Sequence, residues 1–166
     1  VLALFPRTVP TGLQHGTVTV LSDSGPVEVT TYPADGDYHD GRHPDGVRFV
    51  RSLREDTARR DFTVNAMAMD QRGNIRDFYG GRADLAAGIL RCVGAPERRF
   101  REDALRMLRA CRFAAQLGFT IEQASWAALL HCAPLCAQLS RERITEEVTK
   151  TICSPAPQWA GTMIGC

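Results

Sequence analysis

Arg59-Arg60-Asp61-Phe62-Thr63-Val64-Asn65-Ala66 sets two guanidinium groups and a carboxylate at the head of an apolar-polar run that reads as buried. Arg offers a planar fork of donors that matches phosphate oxygens, so a phosphate-bearing ligand would account for arginines entering a core. A surface ion pair at a helix start is the competing explanation. Further along, Glu102-Asp103-Ala104-Leu105-Arg106 opens a strongly helical stretch. At roughly 100° per residue, Asp103, Arg106 and Arg109 gather opposite Ala104, Leu108, Cys111 and Ala115, and Arg112 flanks the apolar stripe. Asp103 and Arg106 can pair with each other. Arg109 and Arg112 have no further acid nearby on the helix. An Asp accepts from an exocyclic amine and an Arg donates to ring nitrogens or carbonyls, so the set can read a nucleobase edge while the additional arginines take phosphates.

Other candidates carry less. Glu28, in Val27-Glu28-Val29, either faces solvent from a strand or is a metal-binding or base-like carboxylate held by a sheet. Asp35-Gly36-Asp37 offers paired acids for magnesium, but from a Gly-rich loop, where a metal site needs ordered elements. His39-Asp40 has the core dipeptide of metal-dependent phosphohydrolases without the other His and Asp ligands. His15, before Gly16, is either structural or ligand-facing.

The elements that position these groups follow from pattern. Val1 to Phe5 is expected to finish a helix. Gly16 to Leu21 and Val27 to Tyr32 alternate about Ser22-Asp23-Ser24-Gly25-Pro26, a hairpin. Pro33 to Gly46 is a loop and Val47 to Val50 a short strand. Ser52 with Glu55 forms a capping box for a helix that runs through Arg59 and Arg60. Ala66 to Asp70 and Asn74 to Phe78 form a second hairpin. Asp84 to Ala87 is a short helix and Ile89 to Val93 a short strand. Phe100 to Leu117 is one helix ending at Gly118. Ile121 to Leu139 is helical with a break near Pro134, and Ser140 caps a helix from Arg141 to about Cys153. The fold class is therefore α+β: a sheet-rich part, residues 1–94, then an all-helical part, residues 95–166, with Gly94 and Pro96 at the boundary.

Bulk properties narrow the function classes. A net charge of +1 gives no global basic field, although Lys150 is the single lysine among 20 basic residues. The cysteines (Cys92, Cys111, Cys132, Cys136, Cys153 and Cys166) include no CxxC pair, and the chain opens without a secretory pattern. Disulfides and structural zinc are not expected, and Cys132 and Cys136 read as small hydrophobes on one helix face. No apolar run is long enough to span a membrane, so the location expected is cytoplasmic. The Val1 start and the Ile164-Gly165-Cys166 end read as those of a fragment.

Gly12-Leu13-Gln14-His15-Gly16-Thr17-Val18, Val27-Glu28-Val29-Thr30-Thr31-Tyr32, Arg59 to Ala66, and Glu102 to Phe113 occur in an order that resembles the bacterial-type (class II) tRNA nucleotidyltransferase and poly(A) polymerase family of the polymerase-beta-like superfamily. Gly80-Gly81 and Glu142-Arg143-Ile144 fit as well. The resemblance implies a partial polymerase-beta-like nucleotidyltransferase head (1–94) followed by a helical neck (95–166). It implies addition of CCA to the tRNA 3′ end from CTP and ATP with Mg²⁺, and no DNA or membrane partner. It assigns Arg60 and Asp61 to the sugar and phosphates, and Glu102, Asp103 and Arg106 to base reading. Arg109 and Arg112 become further nucleotide contacts, and Glu28 a third carboxylate near the metal-binding pair. The family's GGxVRD segment and strand-borne DxD would precede Val1, so the chain alone is expected to bind nucleotide weakly without polymerising. Pro33 stands where the family has arginine. A non-catalytic RNA- or nucleotide-binding module and a poly(A) polymerase are the alternatives within the resemblance, and Asn65 to Asp70 is closer to the CCA-adding branch.

Overall fold

The computed structural model describes residues 1–12, 16–30, 33–34, 48–49 and 52–164. They divide into two compact units, Val1–Asp56 and Thr57–Cys166. His15, Asp35, Asp37, His39, Asp40 and Cys166 lie outside the described residues.

In the first unit the Thr-Val alternation produces the central strand of an antiparallel meander, β1 (Thr8–Gly12), β2 (Thr17–Ser22) and β3 (Gly25–Thr30). The hairpin anticipated from the turn residues is present with Ser22 opposite Gly25. Its turn is tighter than expected, because Gly25, at a φ of 120° that favours glycine, already belongs to β3. Val1 to Phe5 forms a turn closed by Leu4 and Phe5 N–H on the Val1 carbonyl, where a helix end was expected. β4 (Pro33–Ala34) pairs antiparallel with β5 (Arg48–Phe49). Helix α1 (Leu53–Ala58) spans the division between units. It stops before Arg59, whereas the sequence pattern carried it through Arg60; Arg60 N–H instead closes a turn on the Thr57 carbonyl at 3.3 Å.

The second unit begins with that turn. Asp61 to Thr63 then pairs with Arg91 to Val93: Thr63 N–H donates to the Arg91 carbonyl at 2.9 Å and Val93 N–H to the Asp61 carbonyl at 3.0 Å. A 3-10 turn over Thr63–Asn65 leads into the hairpin of β6 (Met67–Met69) and β7 (Ile75–Asp77). After α2 (Gly81–Ala87) comes β8 (Ile89–Leu90), which pairs in parallel with β9 (Thr120–Ile121), a short strand the pattern did not reveal. The helices are α3 (Pro96–Glu102), α4 (Leu105–Leu117), α5 (Gln123–Cys132), α6 (Arg141–Ile152) and α7 (Trp159–Ile164). A 3-10 segment over Ala133–Gln138 marks the Pro134 break. Phe62, Leu90, Phe100, Met107, Cys111 and Leu129 anchor the core between them. Cys132 and Cys136 are both buried apolar residues, and burial pushes the Cys92 thiol up to about 12.

One difference matters for the site. The single helix expected from Phe100 to Leu117 is two helices, broken at Asp103, whose φ of −151° and ψ of 106° are extended. The Asp103 carboxylate accepts from Leu105 N–H at 3.1 Å, an alternative to helix hydrogen bonding that Asp favours.

Two close approaches fix the Arg-Asp stretch from behind. A Cβ on Gly81 would fall 2.2 Å from the Thr63 carbonyl oxygen, so only glycine lets α2 lie against the 3-10 turn. Thr63 Oγ1 donates to Asp84 of α2 at 2.7 Å, and Asp84 also accepts from Arg91 Nε at 3.0 Å. Gly81→Ala is expected to destabilise the chain by about 1–3 kcal/mol through this overlap, read as a lower urea midpoint; an unchanged midpoint would contradict the packing described. Asp77 accepts from the N–H groups of Tyr79, Gly81 and Arg82 at the start of α2. Burial works against its charge, but the Arg82, Gly81 and Tyr79 N–H groups outweigh it and hold the carboxyl below its ordinary value. A carboxylate lowered on folding stabilises above its unfolded pKa, and that stability is lost as pH falls through the lower folded value. Asp77→Asn should therefore flatten the acid side of the stability-pH curve, and parallel curves for the two proteins would refute the linkage.

Candidate nucleotide-binding site

The Arg-Asp stretch and the start of α4 lie against each other in the second unit through three arginines. Arg99 Nη1 donates to the Ala58 carbonyl at 3.2 Å. Arg106 Nη2 donates to the Arg59 carbonyl at 3.0 Å. Arg109 places Nε and Nη2 at 2.8 and 2.6 Å from Asp61 Oδ2. Arg99, Arg106 and Arg109 of α3 and α4 thus take acceptors in chain order from the last residue of α1 into the turn after it. Because α1 ends at Ala58, the carbonyls of Ala58 and Arg59 lie past the end of its hydrogen-bond ladder and can be taken by side chains.

Glu102 orders this set. Its Oε1 accepts from Arg98 Nε at 3.1 Å and Arg99 Nη2 at 2.9 Å, and its Oε2 from Arg106 Nη1 at 2.8 Å. The Arg99, Arg106 and Glu102 side chains retain 10%, 16% and 19% exposure, so charge is mostly withdrawn from water and compensated by geometry. Arg106 Nη1 also donates to the Arg99 carbonyl at 3.1 Å, and its Nε takes part in none of these bonds.

Asp61 is held on every side. Oδ1 accepts from its neighbour Phe62 N–H at 2.8 Å and from Asn65 Nδ2 at 3.1 Å, while Oδ2 takes the Arg109 pair. These bonds match the acceptor capacity of a carboxylate. Phe62 meets Phe113 edge-on with centroids 5.8 Å apart, and the Arg109 guanidinium lies 5.3 Å from the Phe113 ring centre. Arg60 is exposed, with Nη1 at 3.4 Å from the Asn65 carbonyl.

Asp103 meets Arg143 of α6: Nη2 donates to Oδ2 at 3.1 Å and to Oδ1 at 3.3 Å. Four residues on, Glu147 of the same helix accepts from Arg112 Nε at 2.6 Å, with Arg112 and Glu147 side chains 11% and 5% exposed. Arg112 Nη1 also donates to Gln116, and its guanidinium stacks 4.1 Å from the Phe113 ring centre. The acids that Arg109 and Arg112 lack on their own helix therefore come from elsewhere in the chain.

The second unit brings together Arg60, Asp61, Glu102, Asp103, Arg106, Arg109 and Arg112. Glu28 lies on β3 of the first unit, opposite Thr19 and exposed. Sequence reasoning did not single out Arg99, Arg143, Glu147 or Asn65 for the site. For Arg143 and Glu147 a signal existed: their spacing on α6 puts opposite charges one turn apart on one helix face. Among the described residues no group of three or more His, Cys, Asp or Glu could hold a metal ion.

The poly A polymerase head domain family matches residues 1–91, more than half of the chain. The family described as "Probable RNA and SrmB- binding site of polymerase A" matches residues 118–163. The chain belongs to the tRNA nucleotidyltransferase and poly(A) polymerase family. The CCA-adding enzyme of Geobacillus kaustophilus is 50% identical to it over 155 residues, covering 93% of this chain and 38% of that protein. The CCA-adding enzyme of Geobacillus stearothermophilus is 51% identical over 155 residues, with the same coverage of 93% and 38%. The crystal structure of the Bacillus stearothermophilus CCA-adding enzyme in complex with CTP matches with a TM-score of 0.88 at 45% identity, over 98% of this chain and 39% of that one. The α+β fold is that of these enzymes, and the chain spans well under half the length of the curated relatives it matches.

Glu102→Ala leaves Arg99 and Arg106 without their shared carboxylate. It should cost about 2–3 kcal/mol of stability, towards the lower end for a broken buried pair because the guanidiniums keep some water. Denaturant titration checks this, and a loss below about 0.5 kcal/mol would place the cluster with ordinary surface ion pairs.

Proposed function

We propose that this chain is the nucleotide-holding part of an enzyme that adds CMP and AMP to the tRNA 3′ end without a template. The observation that carries the reading is the junction of two stretches: Arg106 grips the Arg59 carbonyl and Arg109 the Asp61 carboxylate, so both stretches form one wall. On the base side of that wall, Asp103 accepts from the exocyclic amine of cytosine or adenine, and Arg106 donates to a ring nitrogen or carbonyl. On the sugar-phosphate side, Arg60 and Arg109 supply charged donors, with Asp61 beside them fixing Arg109. Glu102 supports Arg106, and Arg112 supports the same helix through Glu147.

The remaining assignments rest on the family. Residues 1–94 form the head and 95–166 the neck, and the stretch at 118–163 faces RNA. Glu28 is a catalytic carboxylate, the third beside the metal-binding pair. CTP, ATP and the tRNA 3′ end are the partners. Mg²⁺ belongs to the reaction of the whole enzyme. The place of action is the cytoplasm, where tRNA is finished; among the described residues no helix is long and apolar enough to cross a membrane.

Titration of the chain with the four ribonucleoside triphosphates tests the reading. CTP and ATP should bind about tenfold more tightly than UTP and GTP, the scale of one good base-edge contact. Asp103→Ala should erase that preference. Arg60→Ala should weaken all four alike, by roughly 1.5–3 kcal/mol for a charge-assisted bond. Equal affinities in the unsubstituted chain, or a base-selective effect of Arg60→Ala, would count against it.

A further inference from the structure

Arg143 lies on the first turn of α6, forty residues from Asp103 in sequence, and its guanidinium closes on the Asp103 carboxylate. We infer that Arg143 is a positioning residue that determines base choice by fixing how Asp103 presents its oxygens. This rests on the proposal that Asp103 faces the base.

Asp103 sits in the extended break between α3 and α4, so no helix geometry orients its side chain. Contacts do so instead. Oδ1 takes two donors, Leu105 N–H and Arg143 Nη2, whereas Oδ2 takes only Arg143 Nη2 among the described residues. The Asp103 side chain is 35% exposed, so the remaining acceptor position on Oδ2 can meet a ligand. A carboxylate held this way offers a fixed acceptor and no donor. Cytosine and adenine present an amine donor that satisfies it. Uracil and guanine present a carbonyl oxygen at the corresponding edge, which sets acceptor against acceptor.

Without Arg143 only the Leu105 N–H restrains the carboxylate, at one oxygen, and the broad terminal torsion of Asp leaves the other free to swing. An unrestrained carboxylate can turn aside from a carbonyl or let a water bridge to it, so the penalty against uracil and guanine fades. The helix that carries Arg143 stays in place, because Glu147 remains bonded to Arg112 at 2.6 Å.

The experiment is nucleotide binding by the chain and three variants, Arg143→Ala, Arg143→Lys and Asp103→Ala, with folding checked by circular dichroism. Arg143→Ala should reduce the CTP-to-UTP and ATP-to-GTP affinity ratios about tenfold, mainly by tightening UTP and GTP and loosening CTP and ATP slightly. Arg143→Lys, which keeps a charged donor, should restore part of the ratio. If Asp103→Ala erases the preference while Arg143→Ala leaves it intact, base reading stands and the role of Arg143 is overturned. If Arg143→Ala weakens all four nucleotides equally, or unfolds the chain while Arg143→Lys retains full fold but no preference, the positioning role is likewise overturned. If Asp103→Ala keeps the preference, base reading itself fails and this inference with it.

Discussion

Taking guanidinium groups out of bulk water requires acceptors in matching positions, and Glu102 with the carbonyls of the turn after α1 supplies them. Arg99 and Arg106 each bridge Glu102 to a main-chain carbonyl at the end of α1, that of its last residue Ala58 in one case and that of Arg59 just after it in the other. Neither the turn nor the start of α4 is thereby free to choose its place independently. Asp61 extends the same logic: it satisfies Arg109 on one oxygen and its own local backbone and Asn65 on the other. The wall of the site is built from charge compensation laid over an apolar core, with Phe62 and Phe113 meeting just behind it.

The break at Asp103 is the other structural decision that shapes the site. A continuous helix would have put Asp103 and Arg106 one turn apart on one face. In the extended conformation, Asp103 instead caps the following segment and turns its carboxylate toward α6, while Arg106 turns toward Glu102 and Arg59. The two groups proposed to read a base are therefore each held by a different partner. That separation is a requirement if they are to approach one ligand and not neutralise each other.

Much of this was legible beforehand. The hairpins, the glycine at the end of α4 and the Pro134 break follow from turn chemistry and periodicity that act within a few residues. Arg60 and Asp61 stood out because charges heading an apolar run need an explanation, and Asp103, Arg106 and Arg109 because they share the polar face of one helix, where Arg109 has no acid of its own. What was not legible depended on partners remote in sequence. Nothing near Arg112 announces Glu147, and nothing near Asp103 announces Arg143. The end of α1 at Ala58 was missed for a related reason: Arg59 and Arg60 are good helix formers, and the pairing of Asp61 to Thr63 with Arg91 to Val93 overrides that propensity. β9, two residues long, is too short to leave a period in the sequence.

The two ion pairs made by α6 have opposite sense: Arg143 faces an acid, and Glu147, one turn later, faces a base. Apolar contacts between α4 and α6 are tolerant of sliding, since one aliphatic side chain fills a groove much as the next does. The charge order is not. Sliding α6 by one turn in one direction sets Arg143 against Arg112, and in the other sets Glu147 against Asp103. Like charges repel, most strongly at the Arg112 end, where the side chains have little access to water. The helix thus carries a two-letter code that admits a single alignment, and the orientation of a carboxylate at one end is secured by a buried pair at the other.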